Sequence, residues 1–407
     1  MQKYAIALLM LFTFAVPWEY SLDLGEPFGN VARVLGIALL LAMVPGVLIS
    51  RGLRRPGALQ WLVLALYLYF ACSYYWTLEP EMTIGKIRAY FQVFMIVWIV
   101  WEVANTPAHL RGLLRAFVAG SWVLAILTLF SFASARVGGD LAAQIRFAAE
   151  GQDPNDVARF LDLGFAPAVL LFSMETMMPL RWAALGYVPV GLMGVLLTAS
   201  RGGFSGALVA LFGSAVLLVM WRPRAASMTF LGLAATVSTV LVFVPAGSLD
   251  RLATIPEQVG SGDWNDRLNI WEAGWQAFRT APWWGYGAGT FTAASGLATG
   301  DTAHNTLMAV LVSGGLVATA IFLAILCVLC RAILQTRDLL RVALGTTFVV
   351  WLITSMVASV EENRTTWLVF GMIALAARLE AERPAAMAKM FSALERKEIR
   401  MLAYAGK

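Results

Sequence analysis

Apolar stretches of about twenty residues follow one another along nearly the whole chain, and this feature constrains the fold before any other. A soluble core of comparable length needs polar faces alternating with apolar ones, and long stretches here have none. Spans are expected near 3–18, 29–50, 58–75, 84–104, 113–134, 158–178, 181–199, 203–221, 226–246, 304–331, 339–359 and 364–379. The fold class is therefore all-α: a polytopic transmembrane helical bundle of about 12 spans, with one loop that contains short helices. Only 14% of residues are charged, against about a quarter in a soluble domain, so the aqueous part is small. The first stretch resembles a signal peptide, but no small-residue cleavage site follows it. Trp18-Glu19-Tyr20 has the character of an interfacial anchor, and the stretch is kept as a span.

Lys and Arg set the expected orientation. With the N-terminus in the cytoplasm, one set of loops holds Arg51, Arg54 and Arg55, Arg111 and Arg115, Arg181, Arg222 and Arg224, and Arg331, Arg337 and Arg341. The opposite set holds Glu19, Asp23 and Glu26, Glu79 and Glu81, Asp153 and Asp156, and Glu361 and Glu362. The net charge of +5 follows from this asymmetry, and nucleic acid is not an expected partner. The chain divides into spans 1–9 over 1–246, a periplasmic loop over 247–303, spans 10–12 over 304–379 and a cytoplasmic tail over 380–407. The tail reads equally as an amphipathic helix on the inner leaflet or as a solvated one. Cys327 and Cys330 form a C-x-x-C on a span without a His or Cys cluster nearby, which reads as two small apolar residues rather than a metal or redox site.

The long loop is where chemistry is expected, since a loop of this length in a compact protein is usually functional. Asp263-Trp264-Asn265-Asp266 is a plausible helix start. Trp264, Trp271, Trp275 and Phe278 recur at helical spacing, with Gly274 inside the helix and Pro282 ending it. The aromatic face suits interfacial anchoring or stacking on sugar rings, and the sequence does not separate the two. Gly285-Tyr286-Gly287-Ala288-Gly289 reads as a tight turn.

Asp301 or Thr302 can cap the next span, which places His304 in its first turn. The positive helix end there disfavours an imidazolium, and a neutral His at a membrane boundary suits a general base. Ser200-Arg201-Gly202-Gly203 lies between two spans on the same side. An Arg there is costly unless it snorkels or binds an anion. Arg, glycine amides and a helix N-terminus together suit phosphate. Arg267 and Arg279 add positive charge on that face, unless Asp266, Glu272 or Asp301 neutralise them.

These motifs, with Ala303-His304-Asn305, Gly314-Gly315 and Asp153-Pro154-Asn155-Asp156, resemble the O-antigen ligase superfamily of membrane glycosyltransferases over roughly residues 140–320. The resemblance implies transfer of a glycan from undecaprenyl pyrophosphate to an acceptor hydroxyl at the periplasmic face of the bacterial inner membrane, without metal or other cofactor. Arg201 and Arg267 would bind pyrophosphate and His304 would serve the acceptor hydroxyl. Ser200, Gly202, Gly203, Trp271, Arg279, Tyr286 and Asn305 would surround the substrates. Lipid A core is the first-ranked acceptor, followed by a growing glycan and then a protein. A transporter is the reading from another class. Its candidate charges, Glu102, Asp162 and Glu175, are expected at helix ends.

Overall fold

The computed structural model describes residues 2–26, 28–50, 53–138, 145–260, 262, 264, 266–298 and 300–383. The tail expected over 380–407 lies outside the described residues after Arg383, as do Asp263 and Asn265 of the expected helix start. The architecture is all helical. Long helices are α1 (Gln2–Ala15), α2 (Val31–Ser50), α3 (Ala58–Cys72), α4 (Pro80–Val103), α5 (Pro107–Gly138), α6 (Pro154–Met174), α7 (Met178–Leu197), α8 (Arg201–Trp221) and α9 (Ala226–Phe243). Short helices α10 (Ala246–Ala253), α11 (Ile255–Gly260), α12 (Arg267–Thr280) and α13 (Phe291–Ala294) fill the long loop. Then come α14 (Thr306–Gln335), α15 (Asp338–Ser355) and α16 (364–383).

Among the described residues, ten helices are long and apolar enough to cross a membrane. The expected spans at 29–50 and 364–379 coincide with α2 and α16. The helix α2 carries Arg33 as its one charged residue, and α16 carries Arg364 at its start and Arg378 near its end.

Helices alternate in direction, and side-chain contacts tie their ends together. At one end Arg115 pairs with Glu175 at 2.6 Å, and the Arg54 amide donates to Glu102 at 2.9 Å. At the other, Arg364 pairs with Glu19 and Lys86 with Glu362. The second end, where α6, α8, α14 and α16 begin, is called the site end below. Glu102 and Glu175 do lie at helix ends. Asp162 does not: it is buried within α6, and neither carboxylate oxygen has a partner among the described residues.

The core centres on α6, buried almost continuously from Val157 to Phe172 against α5, α7, α8 and α15. Between helices in lipid there is little hydrophobic drive, so small residues that permit close backbone approach carry the packing. A Cβ on Gly202 would lie 2.5 Å from Val357, one on Gly206 2.8 Å from Thr354, and one on Gly213 2.2 Å from Thr346. The α8–α15 contact therefore depends on glycine along one helix face.

The helix α14 is broken at Gly315, with φ +61° and ψ −163°. The glycine-rich loop fills the break. Tyr286 and Gly287 donate backbone hydrogen bonds to Val312 (3.2 Å) and Ser313 (2.9 Å), and Leu316 donates to Pro282 at 2.8 Å. Tyr69 adds its hydroxyl to the Gly314 carbonyl at 2.8 Å. The expected turn is present, with positive φ at Gly285, Gly287 and Gly289. It also supplies the partners that an interrupted helix needs where water is scarce.

Gly315→Ala is expected to destabilise the protein strongly. It combines a left-handed φ with a Cβ placed 2.4 Å from the Trp283 carbonyl oxygen, and backbone strain alone costs about 1–3 kcal/mol. Gly296→Ala, with φ +64° and open space around it, is the control. Thermal unfolding in detergent should show a clearly larger loss for Gly315→Ala, and equal losses would contradict the stitched-break account.

Candidate functional site

Three chain segments meet at the site end. The first is the turn between α7 and α8. Ser200 caps α8: its hydroxyl accepts from the Gly203 amide at 3.1 Å and donates to Asn155 Oδ1 at 2.9 Å. The Gly203 amide is therefore committed to the cap rather than open to an anion. Its hydrogen in place of a side chain admits Ala158, to which a Cβ would stand 2.3 Å away. The two glycines of Ser-Arg-Gly-Gly serve helix packing. Arg201 leaves the first turn of α8, with Nη2 donating to Thr254 Oγ1 at 2.6 Å.

The second segment is the loop before α6. Arg146 donates to the Thr198 carbonyl at 3.1 Å and to Asn155 at 2.8 Å. Asp153 caps α6 by accepting from the Asn155 amide at 2.8 Å.

The third segment is the long loop. Arg251, on α10, donates to the Ala199 carbonyl at 3.2 Å. Arg267 opens α12 behind Asp266, whose φ is +64°. Trp271 donates to the Ala303 carbonyl at 2.9 Å, which fixes α12 beside His304. Gly274 permits this packing, since a Cβ there would lie 2.9 Å from Phe291. A helix-weakening residue was thus retained for close approach.

His304 lies just outside α14. Asn305 is the N-cap, accepting from the Met308 amide at 3.0 Å, and His304 precedes it at φ +45°. This corrects the expectation that Asp301 or Thr302 caps the helix with His304 in its first turn. Asn305 wins because its side chain reaches the Met308 amide and its Nδ2 reaches the Met356 carbonyl at 3.3 Å. A left-handed non-glycine residue carries strain, and such strain gathers at functional positions.

Arg146, Arg201, Arg251 and Arg267 form one electrostatic group. Burial lowers the pKa values of the Arg146, Arg251 and Arg267 guanidinium groups, and repulsion among these arginines, Arg201 included, lowers them further. Burial also pulls His304 below the usual histidine value, Arg267 pulls the same way, and Asp153 and Asp301 oppose. Arg267 shares a small cavity of about 20 Å³, room for about one water, with Asn155, Arg159 and Ser200. Arg159 is buried and pairs with Asp156 at 2.9 Å. Arg159 also acts on Glu361, which burial and the adjacent Glu362 push up to about 7 against the pull of Lys86 and Arg159.

The structure thus brings Arg201, Arg267, His304, Ser200, Gly202, Gly203 and Asn305 to one end of the bundle, with Trp271 in a bracing position. Tyr286 is elsewhere in role: its hydroxyl reaches the Ala277 carbonyl at 3.2 Å and contacts Thr280, closing the end of α12. Arg279 is exposed in the last turn of α12. Arg146 and Arg251 were missed. Both were findable, because they too are arginines on the face from which orientation bias removes them. Among the described residues, no three His, Cys, Asp or Glu side chains converge as a metal site would require.

Residues 187–323 match the family model described as O-antigen ligase. The resemblance to that superfamily is shown over this stretch, which contains Arg201, Arg251, Arg267, His304 and both halves of the α14 stitch. No curated protein matches the chain.

The environment of His304 gives a direct test by NMR. His304 and His109 are the two histidines, so His109→Gln leaves one imidazole signal. It should titrate below the usual value near 6.5, and Arg267→Gln should raise it by removing a positive charge. A wild-type value at or above 6.5, or no rise in the variant, would contradict the assigned geometry.

Proposed function

We propose that the chain is a membrane glycosyltransferase of the O-antigen ligase type. It moves a glycan from undecaprenyl pyrophosphate to an acceptor hydroxyl, with lipid A core as the acceptor. The carrying observation is the convergence of Arg201, Arg267, Arg146 and Arg251 beside a histidine whose proton affinity is lowered by burial and by Arg267. Four guanidinium groups in mutual repulsion favour an anion of high charge, and pyrophosphate has that charge.

The acceptor oxygen attacks the anomeric carbon as the carbon–oxygen bond to pyrophosphate breaks. His304 takes the hydroxyl proton, and the arginines stabilise the charge that grows on the leaving pyrophosphate. A base with a lowered proton affinity stays available at neutral pH. Transfer should therefore rise with pH through a value below 6.5, with no loss above it from this group. The Lys and Arg asymmetry supports placing the site end at the periplasmic face of the inner membrane, with both termini in the cytoplasm. Asp162 is fully enclosed, while Glu102 and Glu175 are engaged by Arg54 and Arg115 at the opposite end. No charged path through the bilayer is formed by these three, which disfavours transport.

A reconstituted reaction offering lipid A core and a second lipid-linked glycan together tests the proposal. Capping of the core is expected, and chain growth would replace ligation by polymerisation. His304→Ala and Arg201→Ala should each lower transfer at least 100-fold, about 2.7 kcal/mol of lost transition-state stabilisation, while the proteins remain inserted. Near-normal transfer in both variants would refute the proposal.

A further inference from the structure

A cleft of about 440 Å³ separates α2 from α4, floored by α1. Its body is apolar, lined by Leu9, Phe12, Leu40, Phe91, Met95 and Ile99. Along α4 the lining runs from Ile87 to Ile99, about 18 Å at 1.5 Å per residue, the scale of an acyl chain.

The two ends of the cleft differ. Arg33 sits in the first turn of α2, Arg88 two turns into α4, and Arg364 at the start of α16, so the basic lining gathers at the site end. Arg364 is engaged, paired with Glu19 and donating to Gln92 at 2.6 Å. Arg33 and Arg88 are exposed, and the lining contains no Asp or Glu. An apolar slot with cationic groups at one mouth complements a lipid whose phosphate sits above its chains. A neutral lipid would leave that charge unmatched.

We infer that this cleft seats the acceptor glycolipid, a multiply acylated lipid whose phosphate meets Arg33 and Arg88. The inference rests on the transferase reading, in which both substrates are lipid-anchored and enter at the same membrane face. The arginine group around Arg201 and Arg267 takes the donor pyrophosphate, so the acceptor needs a separate seat that opens at the site end. The basic lining of the cleft lies there. Its Arg364 mouth adjoins the polar layer of Glu19, Gln92 and Lys86–Glu362, which lies between α4 and the segment leading into α16.

Native mass spectrometry of the full chain, released from phosphatidylcholine nanodiscs, tests the seat without requiring turnover. The probes are lipid A, its dephosphorylated form, phosphatidylglycerol and undecaprenyl phosphate. Wild type should retain lipid A in preference to the other three. The double variant Arg33→Gln/Arg88→Gln should weaken that retention at least tenfold. Gly36→Phe, which fills the cleft from α2 without changing charge, should displace the lipid independently.

Lipid A retention unchanged in both variants would overturn the assignment. So would arginine-dependent retention of phosphatidylglycerol equal to that of lipid A, which marks a bulk-lipid seat. Displacement of lipid A by undecaprenyl phosphate would also overturn it, by giving the cleft to the donor. Expected binding without any transfer would preserve the glycolipid seat and refute the transferase reading. Transfer that needs His304 yet is indifferent to both cleft variants would do the reverse.

Discussion

A helix interrupted inside an apolar bundle must find partners for the backbone groups it frees. Here α14 breaks at Gly315, and residues 282–287 of the long loop supply them. The consequence reaches well beyond the break. The loop is pinned to the bundle at one edge, α12 is held against the start of α14 through Trp271 and Ala303, and Arg267 is delivered beside His304. A loop otherwise free to move becomes a fixed wall of the site. The obligation to satisfy backbone in a dry environment therefore does the positioning.

The second organising constraint is electrostatic. Arginine gathers at this end of the bundle into the group of Arg146, Arg201, Arg251 and Arg267, and into the mouth of the α2–α4 cleft. Gathering like charges costs free energy, and it contributes to the lowered proton affinity of Arg146, Arg251 and Arg267. The cost is offset when an anion of matching charge arrives. Ser200 and Asn155 hold two of the segments together, and hydrogen bonds from Arg146, Arg201 and Arg251 to main-chain or hydroxyl oxygens fix the guanidinium planes. Such a site is organised before substrate enters, which is what electrostatic stabilisation of a leaving group requires.

Much of this was legible in the sequence, for identifiable reasons. Span positions follow from length and apolarity alone, which is why the expected stretches, those at 29–50 and 364–379 included, coincide with helices. His304, Arg201 and Arg267 stood out because each is unusual for its place. Arg146 and Arg251 carry the same signal of an arginine on the disfavoured face, but it is Thr198 and Ala199, distant from them in sequence, that tie them to Arg201. The glycines were the hardest to interpret. Gly202 and Gly203 read as amide donors to phosphate, yet they admit Val357 and Ala158. Tyr286 read as a substrate contact, yet it closes α12. In each case the deciding partner lies on another helix, and no local spacing encodes it.

The central claim is that the arginine group built by the loop and the α7–α8 turn is the seat of a pyrophosphate. It is tested most directly by the affinity of the full chain for undecaprenyl pyrophosphate, measured in nanodiscs for wild type, Arg267→Gln and Arg201→Gln. Each charge-assisted contact is worth about 1.5–3 kcal/mol, so each variant should bind about 10- to 100-fold more weakly. Affinity unchanged in both variants would contradict the account.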